Sequence, residues 1–202
     1  LNRCSPSSPI RHNGALMIEI EVPATSANLG PGFDCLGIAL SLSNIVRIER
    51  AARTSLKGCP SQWAGEDNLF LRSFRHACSV LQTSVPEISV EFVTHIPPAH
   101  GLGSSASLAV AGAAAALLLH KGADAGTEVE YSGFLRSPEN LDFLLRVTAD
   151  IEGHPDNAAP AIYGGFTAAA LAGQEIIVSH SSVPEAWLFA ACIPDFNLAT
   201  SV

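Results

Sequence analysis

The sequence predicts an α+β fold with more strands than helices. Three observations carry this: short alternating apolar segments outnumber helical periods, only three stretches have convincing helical spacing, and strands and helices do not alternate regularly. At 202 residues the chain is long enough to bury a real core. Nearly half of it is apolar (48%) and only 15% is charged, the ordinary balance of a globular protein.

The first sixteen residues, LNRCSPSSPIRHNGAL, are rich in Pro and Ser and lack acids. They read as a disordered leader, with Met17 as the natural start. Met17–Val22 alternates apolar and acidic residues and suits a half-buried strand. The run from Pro23 to Asp34, PATSANLGPGFD, reads as a loop. Cys35–Leu42 and Ile45–Arg50 read as two strands. Asp67–Gln82 has helical spacing, with Glu66 or Asp67 placed to favour its start, and Ile88–Val93 alternates as a strand.

A second glycine-rich stretch, Pro97 to Ser107, opens directly into an apolar run from Ala106 to Leu119. That run is too short and too rich in Ala and Gly to span a bilayer and reads as a buried helix. Pro138–Glu152 is the third helix, with Leu141, Leu144, Leu145, Thr148 and Ile151 on one side. The tail segments Gly165–Leu171, Glu175–His180 and Trp187–Ile193 read as successive strands. No internal repeat and no convincing linker divides the chain.

A net charge of −8 argues against a nucleic-acid surface. The five cysteines are scattered and never in a C-x-x-C pair, which predicts reduced thiols in a cytoplasmic protein that meets neither membrane nor nucleic acid. An anionic ligand must then be held locally, by backbone amides and a metal.

Gly101-Leu102-Gly103-Ser104-Ser105-Ala106-Ser107 lies between a strand and a helix. Glycines admit tight turns and close backbone approach, and the helix N-terminus offers unpaired amides. Together they would cradle phosphate, with serine hydroxyls facing a hard cation. The same residues would equally serve as a tight helix cap, and no Gly-Lys-Ser/Thr of a P-loop is present. Glu152-Gly153-His154-Pro155-Asp156-Asn157 packs two acids, an imidazole and an amide into one stiffened turn. Such a set can hold a metal and orient a substrate hydroxyl, or simply be a solvated loop at a helix end. In Thr25–Asp34, Asn28 and Asp34 could bind a polar ligand, although composition alone favours a plain turn.

These three stretches, in this order, resemble the GHMP kinases, the superfamily named for galacto-, homoserine, mevalonate and phosphomevalonate kinases. The pairing of VPATSANLGPGFDCLGIAL with EGHPDNAAPAIYGGF is similar to the branch acting on homoserine. The likeness runs from about Met17 to Val202. It implies a two-layer fold with a left-handed β-α-β crossover, residues 17–160 forming an ATP-binding domain and 161–202 the start of a second, and a chain cut short at its C-terminus, with a ferredoxin-like second half largely missing. It implies transfer of the γ-phosphoryl group of ATP, with Mg2+, to the side-chain hydroxyl of homoserine, in threonine biosynthesis. Carried over by position, Pro98 and Gly101, Leu102, Gly103, Ser104, Ser105, Ala106 and Ser107 would wrap the ATP phosphates, and Asn68 would reach the adenine. Ser105 would face magnesium together with Asp150 first or Glu152 second. Asn28, Asp34, His154, Asp156 and Thr200 would hold homoserine, with Asp156 as base or orienting group. A homodimer is expected of the full-length form. A kinase for another small alcohol, or a non-catalytic binding module, would share these motifs.

Overall fold

The computed structural model describes residues 5–12, 15–121, 134–173, 175–184 and 186–190. Among them, seven strands form one mixed sheet with four helices packed against it. Strands β1 (Ser5–His12), β2 (Ala15–Ala27), β3 (Leu36–Arg50), β5 (Ile88–Val93) and β4 (Ser55–Lys57) lie in that spatial order, while β6 (Phe166–Ala172) pairs with β3 and with β7 (Glu175–Ser181). The sheet thus includes segments assigned from sequence to both domains.

β3 organises this sheet. Its first residues, Leu36–Ile38, pair with β6, and Ile45–Arg50 pair with β5. β2 runs along its other edge for nearly its whole length. The sequence reading divided this segment in two because polar Ser41, Ser43 and Asn44 interrupt the apolar alternation; the backbone nevertheless continues as one strand that changes partner there. Asn44 is fully buried at the change. Its Oδ1 accepts from the amides of His95 (2.9 Å) and Ile96 (3.0 Å), and its Nδ2 donates to Ser107 Oγ (2.8 Å). Asn44→Ala would strand two amides and is expected to lower stability by about 2–3 kcal/mol, read from the urea midpoint.

The sequence reading needs other corrections. The leader is not wholly disordered: Ser5–His12 lies antiparallel to β2, with a register slip between Ser7 and Ile10. An edge strand tolerates its two prolines, Pro6 and Pro9, because one side of it has no ladder to lose, and β2 offers a free edge. β2 continues past Val22 to Ala27 through an irregularity between Pro23 and Thr25, so half of the expected loop is strand. The tail strand expected at Trp187–Ile193 is not formed over 187–190, and 191–193 lie outside the described residues. There the Trp187 amide instead closes a turn onto Pro184 O (3.0 Å), and an alternating apolar pattern makes a strand only when a ladder partner accepts it.

The helices lie where they were expected, with one addition. α1 (Leu69–Val80) is capped by Asn68, whose Oδ1 accepts from Leu71 N (3.3 Å); the acids before it, Glu66 and Asp67, are not the cap. α3 (Pro138–Glu152) begins at the Ser137 cap and ends at Gly153, in the left-handed conformation (φ 87°). α4 (Ala158–Tyr163), only six residues long, has too few turns to display a period.

α2 (Ser104–Lys121) is the centre of the molecule, touching β2, β3 and the three other helices. Ala109, Val110, Ala111 and the residues from Ala113 to Leu119 are buried on every side, as an apolar helix without a polar face must be. Its small residues bring α1 close. A Cβ at Gly112 would lie 2.4 Å from Phe70 O and 3.0 Å from Phe74 N. No described helix is long and apolar enough to cross a membrane.

Candidate active site

The site forms where three loops meet at the N-terminus of α2. The phosphate-type loop leaves β5 through Pro97 and Pro98, with Ala99, Gly101 and Gly103 all at positive φ (58°, 69° and 63°). Positive φ at Ala99 is a strained choice for a residue with a Cβ. The first amide of α2 to find a helical acceptor is that of Ser107, on Gly103 O (2.9 Å). The amides of Ser104, Ser105 and Ala106 therefore have no acceptor within the helix and carry the positive end of its dipole. Ser107 itself is turned inward: its hydroxyl donates to Ser104 O (2.8 Å) and accepts from Asn44. Counted from sequence among the phosphate-binding residues, it instead holds the loop from behind, because both its polar groups have protein partners.

The acid turn follows α3. Glu152 accepts a hydrogen bond from Ser105 Oγ (2.6 Å). Burial pushes the Glu152 carboxyl up, opposed by the Ser105 hydrogen bond and by the charges of His154 and Arg72. Asp150, the first choice from sequence as partner of Ser105, points elsewhere. It is exposed and pairs with His76 on α1 (3.0 Å). Two residues along a helix are rotated well apart, so only one of Asp150 and Glu152 can face the loop.

Asp156 is fully buried. His154 Nδ1 and the amide of Asn157 (2.9 Å) both meet its Oδ1, while its Oδ2 has no partner among the described residues. His154 is half-buried. A Cβ at Gly37, at the start of β3, would lie 2.3 Å from Asp156 O, which explains the glycine beneath this turn.

Asn28 and Asp34 lie in the loop between β2 and β3. Both have positive φ (57° and 52°), and Asn28 Oδ1 accepts from the Asp34 amide (2.8 Å), closing the loop on itself. Phe33, between the two in sequence, is 74% exposed. Thr200 lies outside the described residues.

A cleft of about 380 Å³ runs from Ser104 and Ser105 past Pro98 and Ala99 to Trp63, Asn68 and Leu69. Its lining passes from the N-terminal serines of α2 to the aromatic ring of Trp63. Asn68 lines it, but both ends of its amide are engaged, Oδ1 by α1 and Nδ2 by Trp63 O (2.8 Å). Sequence reasoning missed Trp63 and Cys59 on this wall, because a lone aromatic and a lone thiol in an irregular segment carry no spacing signal. It also missed Thr25, which donates to Asn157 Oδ1 (2.8 Å) and whose amide donates to Leu102 O (3.1 Å). Both Thr25 and Asn157 sit inside the motifs already singled out.

Comparison with known proteins agrees with this geometry. Residues 68–165 match the model of the GHMP kinases N terminal domain. The homoserine kinase of Desulfitobacterium hafniense is 40% identical over 190 residues, covering 91% of this chain and 58% of that protein. The homoserine kinase of Clostridium botulinum (strain Langeland) is 37% identical over 185 residues, covering 91% and 57%. The crystal structure of homoserine kinase from Cytophaga hutchinsonii superposes with a TM-score of 0.61 at 28% identity, covering 87% of this chain and 54% of that one. The chain therefore spans under three-fifths of the length of these curated relatives. Motifs, sheet topology and relatives converge on the GHMP kinases, whose N-terminal domain is matched by residues 68–165 of this chain.

Proposed function

We propose that this chain forms the nucleotide-binding and catalytic part of an ATP-dependent kinase that phosphorylates the side-chain hydroxyl of L-homoserine to O-phospho-L-homoserine, in threonine biosynthesis. The observation that carries the kinase reading is the Ser105–Glu152 pair at the N-terminus of α2, at one end of the cleft. The names of the relatives supply homoserine as the acceptor.

The phosphates of ATP would lie across the free amides of Ser104–Ala106, with Gly101–Gly103 allowing close approach. The base would lie toward Trp63, with Asn68 shaping the wall there. Magnesium suits the donor set, a hydroxyl and a carboxylate, because it keeps water and phosphate oxygens as its remaining ligands. Ser105 and Glu152 would hold it, and bound with the nucleotide it would neutralise charge on the transferring group.

Homoserine would be held by Asn28 and Asp34 on one side and by the acid turn on the other. In-line transfer through a loose transition state asks mainly for positioning. Asp156 has no exposed surface, so an incoming hydroxyl meets His154 first. Asp156 would then act through His154, orienting it: as the homoserine oxygen bonds to the γ-phosphorus, the bond from that phosphorus to the β–γ bridging oxygen breaks, ADP leaves, and the hydroxyl proton passes to His154 Nε2. The protein would work in the cytoplasm, with a homodimer as its assembled form.

The test is homoserine-dependent ADP release from Mg·ATP by this chain, beside a chimera carrying the C-terminal region of the Desulfitobacterium relative. Activity in the chimera is expected. Nucleotide binding by both with homoserine turnover by neither would overturn the assignment, in favour of another alcohol or a binding module.

A further inference from the structure

Three motifs meet on one buried hydroxyl. Thr25 is fully buried, and its Oγ1 donates to Asn157 Oδ1 in the acid turn (2.8 Å). Its amide is bonded to Leu102 O of the phosphate loop. A Cβ at Gly103 would lie 1.9 Å from Thr25 Oγ1 and 3.2 Å from Asn157 Oδ1, so the glycine backbone lies directly against this hydrogen bond. At the other end of the same amide, Asn157 Nδ2 is 3.5 Å from Asp156 Oδ1, which also receives His154 and the Asn157 backbone amide.

A side-chain amide has one accepting and one donating end. A hydroxyl donor fixed on the oxygen leaves the NH2 group turned to the carboxylate. Without that donor the amide is held only by its long, 3.5 Å contact with Asp156 and is free to turn away from the carboxylate. We propose that Thr25 is a positioning residue for the phosphoacceptor site: its hydroxyl fixes the Asn157 amide, which fixes Asp156 and His154, while its contact with Gly103 sets that arrangement in register with the phosphate loop. The inference rests on the kinase reading above for its catalytic consequence.

Valine and serine separate positioning from packing. Thr25→Val keeps the shape and removes the hydroxyl; Thr25→Ser keeps the hydroxyl and removes the methyl. Turnover of the active form should fall about 100-fold in Thr25→Val at nearly unchanged KM for ATP, and be largely retained in Thr25→Ser. A second readout needs no turnover. The low-field ring-proton resonance of His154 on Asp156, assigned by its loss in His154→Gln, should vanish in Thr25→Val and persist in Thr25→Ser. Asn157→Asp, which leaves Thr25 an acceptor but removes the NH2 group, should reproduce the valine signature even if Thr25→Val folds poorly. The proposal is overturned if Thr25→Val keeps the resonance, or if Thr25→Ser is the impaired variant. Absence of homoserine turnover in the parent would sink the kinase reading, yet the His154 resonance would still decide whether Thr25 positions the acid turn.

Discussion

Valine in place of Gly112 is expected to remove at least about 3 kcal/mol of stability, a large share of the whole for a domain this size. The new Cβ would fall 2.4 Å from the Phe70 carbonyl and 3.0 Å from the Phe74 amide. Both are backbone atoms of α1, so no rotamer change relieves the clash. α1 would have to move away from α2, opening the core around Phe70 and Phe74, which are both fully buried. Chemical denaturation should show the loss as a lower midpoint, with much of the protein insoluble on expression. Gly65→Ala is the matched control: nothing lies within 4 Å of the added methyl, and its midpoint should be unchanged. Equal destabilisation of the two variants would refute the account of α1–α2 contact.

The second large effect is expected at Glu152. Glu152→Gln should reduce magnesium-dependent turnover by about 100-fold or more, because a neutral amide is a poor ligand for a hard cation beside a polyphosphate. Stability should hold or rise. Folding buries this carboxyl and raises its pKa, so the folded state disfavours the ionised form. That penalty is absent below the ordinary carboxylate range and grows as pH climbs past it, and the amide removes it. Asp150→Asn should leave turnover intact and change stability by less than about 1 kcal/mol, since its partner His76 is on the surface. Loss of activity in Asp150→Asn with Glu152→Gln unaffected would return the metal role to Asp150.

The contrast between these two acids shows what was legible in the sequence. The motifs announced that an acid near the end of α3 faces the serine loop. Which one does so depends on helical phase at a terminus, and a single residue of phase decides it. Likewise the alternation of β3 was visible on both sides of Ser43 and Asn44, but its continuity was not. A buried polar residue that bonds to the chain beyond a neighbouring strand looks, in one dimension, like a break. β4 and α4, at three and six residues, are shorter than any period that could betray them. The glycine-serine loop stood out because glycine, proline and serine each have a conformational reason to be there. Thr25 was passed over because a threonine in a stretch that reads as a plain turn needs no further reason.

The burial of α2 has a consequence for how this domain responds to a ligand. A phosphate-binding helix on a protein's surface can tighten or fray by itself when its anion arrives. This one is walled in beyond its first turn by the sheet and three helices, so the hydrogen bonds of its body break only when the domain as a whole opens. An anion bound at the free amides of Ser104–Ala106 would then stabilise the domain as a whole rather than order a local segment.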